Sequence, residues 1–101
     1  MITPAHARMA RAALKWSLID LRDRTGLSKT TLVRFEAGLG VQYSTAISLE
    51  ETFAKAGVNF VYEDDSRGLG IQLSKELSRR LNEGTPTSPK PKSAKRSRKA
   101  K

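Results

Sequence analysis

Lys29, Thr30, Val33 and Arg34 are the side chains in this sequence best suited to a specific chemistry. Their spacing brings them to one outward side of a short helix, with a cation at each end and a hydroxyl and branched methyls between. Cations that donate hydrogen bonds and methyls that touch thymine are what reading nucleobase edges requires, and a helix fits a major groove about 12 Å wide. The plainer alternative for the same four residues is a solvated helix face.

The elements around them are short and sharply punctuated. Residues Trp16 to Gly38, WSLIDLRDRTGLSKTTLVRFEAG, spell two amphipathic helices separated by a glycine turn. Ser17 can cap the first, with Leu18, Leu21 and Thr25 facing inward, and Gly26 ends it. Leu27 then drops toward the core, Ser28 caps the second helix, and Leu32 and Phe35 supply its buried side. Upstream, Thr3 as cap and Pro4 at the first helical position start another helix whose inward side is Ala7, Ala10 and Leu14. Trp16, the single tryptophan, is expected in the core at the junction. After Gly38 the loop Leu39, Gly40, Val41, Gln42 and Tyr43 leads to Ser44, a plausible cap for a fourth helix that Gly57 stops. Ile47, Leu49 or Glu50, and Phe53 are its spaced positions, with Ile47 and Phe53 the foremost burial choices.

The combined spacing of cap, Leu21, Gly26, Leu27-Ser28, Leu32, Phe35 and Glu36-Ala37-Gly38 resembles the lambda-repressor and Cro-like superfamily, the xenobiotic-response-element regulators. The resemblance runs from about Ile2 to Leu73, and ITPAHARMARAALKWS and AGVNFVYEDDSRGLGIQL are similar to the first helix and the extension of small bacterial members. It implies a mainly α fold: a helix-turn-helix bundle of about four helices, then a C-terminal β-hairpin, a possible short helix and a disordered basic tail. It also implies a sequence-specific DNA-binding regulator, a repressor or autoregulator, acting as a homodimer on double-stranded DNA without a cofactor. Lys29, Thr30, Val33 and Arg34 then occupy base-facing sites, while Ser17, Ser28 and Thr31 face the DNA backbone. Arg34 suits guanine, whose O6 and N7 accept two parallel hydrogen bonds from a guanidinium; Lys29 suits guanine or phosphate, and Thr30 and Val33 a thymine methyl. Arg11 and Glu36 stand where the resemblance implies a partly buried ion pair, although as residues alone they read as independent surface charges.

Beyond Gly57 the period becomes alternating. Val58, Phe60 and Tyr62 point one way and Asn59 and Val61 the other, and IQLS repeats the pattern after EDDSRGLG, so residues 58–73 read as a hairpin with a long loop. Two strands alone are marginal and need the helices or a partner's strands beside them. Lys75 to Leu81, with Leu73, Leu77 and Leu81 in line, reads either as a short helix or as a frayed end. From residue 84 onward GTPTSPKPKSAKRSRKAK has no large apolar side chain and reads as a disordered basic tail. The expected division is a helical DNA-binding unit at 1–57, a hairpin extension at 58–83 and the tail at 84–101.

Charge follows that division. Lys90, Lys92, Lys95, Arg96, Arg98, Lys99 and Lys101 contribute +7 with no acid, so the remaining residues hold +2 of the total +9. Such a tail can solubilise, bind polyanions through counterion release, or act as an address; beside a DNA-reading motif the second use is the expected one. The absence of cysteine removes thiolate chemistry and disulfides. His6, the lone histidine, has no cysteine or carboxylate cluster beside it, Glu50-Glu51 and Asp64-Asp65 read as solvated pairs, and no phosphate-cradling glycine loop is present, so an enzyme is not expected. Without an apolar run of ~18 residues or a secretory leader, no membrane partner is expected and the location is the cytoplasm, at the nucleoid.

Four features depart from the family pattern. Leu18 replaces a glutamine that often touches DNA, Arg22 a small alanine between the helices, and Lys15 a common glycine, while the loop after Gly38 lacks basic residues. With Ile19 and Val33 they leave the surface unusually apolar. The alternative function is therefore a protein-interaction module, an antitoxin or antiactivator, that binds another regulatory protein.

Overall fold

Thr3, Pro4 and His6 begin the first helix, α1 (Pro4–Leu14), through a reciprocal cap. Thr3 Oγ1 accepts from the His6 amide at 3.2 Å, and the Thr3 amide donates to His6 Nδ1 at 3.1 Å. Pro4 stands at a position where a helix has no use for an amide. The computed structural model describes residues 1–40 and 42–83. Val41 and the tail with Lys90, Lys92, Lys95, Arg96, Arg98, Lys99 and Lys101 lie outside the described residues.

Among the described residues the chain is mainly helical, with α2 (Leu18–Thr25), α3 (Lys29–Glu36), α4 (Tyr43–Lys55) and α5 (Lys75–Glu83), and one antiparallel hairpin of β1 (Val58–Val61) and β2 (Gly70–Leu73). None of these helices is long and apolar enough to cross a membrane. The hairpin register pairs Val58 with Leu73 and Phe60 with Ile71. Ala7, Ala10, Leu21, Leu32, Phe35, Ala46, Leu49, Phe53, Val58 and Leu77 form one buried cluster together with Ile2. Hairpin and α5 thus share the core of the first four helices.

His6 ties the hairpin to α1. Its Nδ1 accepts from Thr3, so the ring proton sits on Nε2 and is donated to the Val61 carbonyl at 2.9 Å. The imidazole is fully buried, edge-on to Phe60 and Tyr62 with ring centroids 5.2 Å away in each case. Phe60 meets Phe53 at 6.1 Å, and Phe53 stacks on Trp16 at 5.8 Å. Trp16 is half-buried against the core rather than inside it. At the strand end the Tyr62 hydroxyl donates to Glu50, and burial, reinforced by that carboxylate's charge, pushes its pKa up. In the hairpin loop the amides of Ser66 and Arg67 both donate to Asp64 Oδ1 at 2.9 Å, which holds this carboxyl below its ordinary pKa.

Several expectations are corrected. Helix α4 starts at Tyr43 with Gln42 as a cap residue that makes no side-chain bond, two residues ahead of the cap expected at Ser44. Within it Leu49 is 1% exposed whereas Ile47 is half-buried, because Ala46, Leu49 and Phe53 share the stripe that meets the other helices. Lys75–Glu83 is a helix, capped by Ser74 Oγ, which accepts from the Leu77 amide at 3.1 Å. Leu77 is buried beneath it while Leu81 is exposed. Arg22 points outward and pairs with Asp23 at 3.2 Å, so the approach of α2 to α3 is made over Leu21 and Leu32.

Two backbone positions generate stability predictions. Lys15 has φ 58°, with its amide and that of Trp16 closing the end of α1 onto Ala12 and Arg11. This left-handed conformation costs an L residue ~1–2 kcal/mol, partly offset by glycine's larger unfolded-state entropy. Lys15→Gly should therefore raise the urea-unfolding free energy by about 0.5–1 kcal/mol. Gly57, φ 103°, lies against α5: a Cβ there would stand 2.9 Å from Ser74 Oγ and 3.2 Å from Leu77 Cβ. At Gly26, φ 79°, nothing lies within 4 Å of such an atom. Gly57→Ala should cost about 2–4 kcal/mol against about 1 for Gly26→Ala in the same assay; equal losses would refute close packing of α5.

Candidate nucleic-acid interface

α3 is held by three devices that leave one side of it open. At its start the Ser28 hydroxyl accepts from the Thr31 amide at 3.1 Å and donates to Thr31 Oγ1 at 2.9 Å. Beneath, Leu32 and Phe35 are buried completely or nearly so. At its end the Gly38 and Leu39 amides donate back to the carbonyls of Phe35 at 3.0 Å and Arg34 at 2.8 Å. Lys29, Thr30, Val33 and Arg34 are all exposed, Val33 by 44%. The structure thus brings the four base-facing candidates together on the side opposite the core.

The turn before α3 is equally determined. Ser17 and Asp20 cap α2 reciprocally, Asp20 Oδ2 accepting from the Ser17 amide at 2.9 Å and Ser17 Oγ from the Asp20 amide at 3.0 Å. Those bonds hold the Asp20 carboxyl below its usual pKa. The Thr25 hydroxyl donates to the Leu21 carbonyl at 2.8 Å and accepts from the Leu27 amide at 3.1 Å, which spans the Gly26 bend. Of the three backbone-facing candidates, Ser17 and Ser28 are exposed but occupied as caps, and Thr31 is half-buried.

Arg11 and Glu36 meet in a bidentate pair. Arg11 Nε donates to Glu36 Oε2 at 2.7 Å and Nη2 to Oε1 at 2.9 Å, while Nη1 donates to the Trp16 carbonyl at 3.2 Å. One guanidinium therefore joins α1, the α1–α2 junction and the last turn of α3. The Glu36 carboxylate raises the Arg11 pKa further. Arg8, three residues before Arg11 on the same helix, donates to the main-chain carbonyl of Glu36. Sequence reasoning did not single out Arg8; its signal was the i, i+3 relation to Arg11, which puts both cations beside the negative end of α3.

Arg34 lies along the loop into α4. Together with Thr31, Phe35, Gly40, Gln42 and Thr45 it lines a shallow cavity of about 110 Å³. Its Nη2 is 3.1 Å from where a Cβ on Gly40 would stand, so a side chain there would displace the guanidinium. Gln42 and Thr45 are thus neighbours of the cationic end of the patch that sequence reading had placed in a loop and an unassigned helix turn. The patch carries two cations, a hydroxyl and an apolar centre, an arrangement able to donate hydrogen bonds to paired acceptors and to touch methyl groups.

The Arg11–Glu36 pair is 28% and 11% exposed in its side chains, between the surface and buried regimes. An Arg11→Ala/Glu36→Ala double-mutant cycle should return a coupling of about 1–3 kcal/mol. A coupling below about 0.5 kcal/mol would mean that the pair does not orient α3. No protein-family model matches this chain, and no curated protein matches it.

Proposed function

We propose that this protein is a homodimeric, sequence-specific DNA-binding regulator with a lambda-repressor-like helix-turn-helix, acting as a repressor or autoregulator and inserting α3 into the major groove. The observation that carries this reading is the exposure of Lys29, Thr30, Val33 and Arg34 on a helix anchored by Leu32, Phe35 and the Arg11–Glu36 pair. A helix with its side chains is about 10–12 Å across, which the major groove admits, and one of eight residues is too short to persist without such anchoring. Rigid anchoring matters because hydrogen-bond readout of base edges fails when donors are free to wander.

A dimer of this kind protects an inverted repeat with half-sites about 34 Å apart. Selection of bound duplexes from random DNA, followed by footprinting, tests that expectation directly. Enrichment of no sequence over scrambled polymer at near-physiological salt would reject it.

The second reading, a module that masks another regulatory protein, is favoured by a separate observation. Ile19, Val33, Leu39 and Tyr43 are 41%, 44%, 54% and 70% exposed, more large apolar surface than DNA contact requires. A stoichiometric protein complex formed without footprint protection is its distinguishing result.

Two variants separate sequence reading from general attraction. Arg34→Ala should cost ~1–3 kcal/mol on the selected site and relax preference at one base position. Removing residues 90–101, with their seven cations, should weaken selected and random duplexes alike and flatten the dependence on salt. Equal losses for Arg34→Ala on both duplexes, measured by fluorescence anisotropy, would remove it as a reader.

A further inference from the structure

At the other end of α4 from the Arg34 cavity lies a second, larger one of about 280 Å³, lined by Trp16, Arg24, Thr52, Lys55 and Ala56. Thr45 and Lys55 are ten residues apart on α4, about 15 Å at the helical rise, and the two cavities share no lining residue. We propose that this second cavity is a binding site for a small phosphate monoester, a role beyond the DNA reading of α3.

The argument begins with Arg24. Its guanidinium lies 4.2 Å from the centroid of the Trp16 ring, whose indole is also stacked on buried Phe53. An arginine laid on an aromatic face has already lost much of its rotamer freedom, while its N–H edge remains able to donate in plane. Lys55 lines the same cavity, and the Thr52 hydroxyl adds a donor. Neither Arg24 nor Lys55 has a hydrogen-bond or ion-pair partner among the described residues. Asp20, one turn before Arg24, has Oδ2 engaged by the Ser17 amide and feels the Arg24 charge without forming an ion pair with it.

Two cations facing one cavity, Lys55 without a partner among the described residues and Arg24 sharing its charge only with the exposed Asp20, call for an anionic ligand. A phosphate monoester carries −1.5 to −2 near neutral pH, and its oxygens suit both a bidentate guanidinium and a point-charge ammonium. The carbonyl end of α4 opposes an anion with roughly half a charge at most. The Ala56 amide already covers the Thr52, Phe53 and Ala54 carbonyls in part, so the two full charges prevail. The volume falls just short of the ~300–1,000 Å³ usual for drug-sized ligands, which selects a compact one.

Trp16 is the only tryptophan and sits in the site, whereas the basic tail has none, so its fluorescence isolates this cavity from phosphate bound elsewhere. Inorganic phosphate titrated into the full chain, with ionic strength held constant by potassium chloride, should shift Trp16 emission saturably. Lys55→Gln should weaken that response tenfold or more, and Arg24→Lys, which keeps the charge but loses the planar fork, should do likewise. Potassium chloride alone producing the same change, or Lys55→Gln leaving the midpoint unaltered, would overturn the proposal. A second arm replaces phosphate with a blunt duplex lacking terminal phosphates. A response to phosphate but not to the duplex supports a soluble ligand; a response to the duplex alone overturns it in favour of a backbone contact. The first arm contains no DNA, so its outcome is independent of whether α3 reads bases.

Discussion

A single guanidinium ties the last turn of α3 to α1. α3 has eight residues, and Leu32 and Phe35 set which side of it meets the core. Arg11 secures its far end by making contact with Glu36 at two oxygens and with the Trp16 carbonyl at a third. A bidentate fork resists rotation in a way that a lysine could not reproduce, because an ammonium gives a point attraction without a plane. Arg8 on the Glu36 carbonyl adds a second cation to the same helix end. The net stabilisation from such a partly buried pair is modest. Its structural consequence is larger: it fixes the last turn of a helix already seated on Leu32 and Phe35, so the outward side chains keep a defined direction.

A parallel constraint holds the hairpin. Two four-residue strands are not self-sufficient, and here their stability comes from beneath. His6 gives its Nε2 proton to Val61, and its ring edges meet Phe60 and Tyr62, so a polar bond fixes the register of β1 on α1 while the aromatic contacts bury its faces. The row continues through Phe53 to Trp16 and ends under the Arg24 guanidinium. One line of rings therefore runs from the hairpin to α2. Phe53 in the row is fully buried, whereas Trp16 is half-buried and takes the Arg24 guanidinium on its face.

What could be read in the sequence was local. The caps at Thr3, Ser17 and Ser28, the break at Gly26, the buried pair Leu32 and Phe35, and the alternation after Gly57 all depend on residues within a few positions of one another. The errors arose where packing decides. In α4, apolar residues at 46, 47, 49 and 53 define two overlapping stripes, and only the position of the other helices chooses Leu49 over Ile47. α5 was undecidable because its one buried side chain, Leu77, is covered by the residue that precedes β1, Gly57. For the candidate interface, amphipathicity sufficed to mark the outward four residues. The Arg11–Glu36 contact spans 25 positions and has no periodic signature, so residue chemistry alone read it as two separate charges, and only the family likeness suggested otherwise. His6 was read as an isolated helix residue for the same reason: its partner, Val61, is a main-chain carbonyl 55 positions away.

The distribution of cations constrains how DNA binding of the proposed kind can work. Outside the tail, Arg11 is committed to Glu36, Arg8 to its carbonyl and Arg22 to Asp23, while Arg24 lies on Trp16 away from α3. On α3 that leaves Lys29 and Arg34, on a body whose net charge is only +2 once the tail's seven cations are subtracted from +9. A few hydrogen bonds discriminating at ~1–3 kcal/mol each can distinguish sequences, but so nearly neutral a body has little general attraction to a polyanion. Counterion release by seven lysines and arginines supplies attraction without discrimination. In the proposed DNA binding the two contributions are therefore separable in sequence as well as in physics: affinity would reside mainly in the tail and choice in α3. Separation has a further consequence, because a tail that binds every sequence equally adds the same free energy to right and wrong sites, and leaves their ratio to the side chains that Arg11 holds in place.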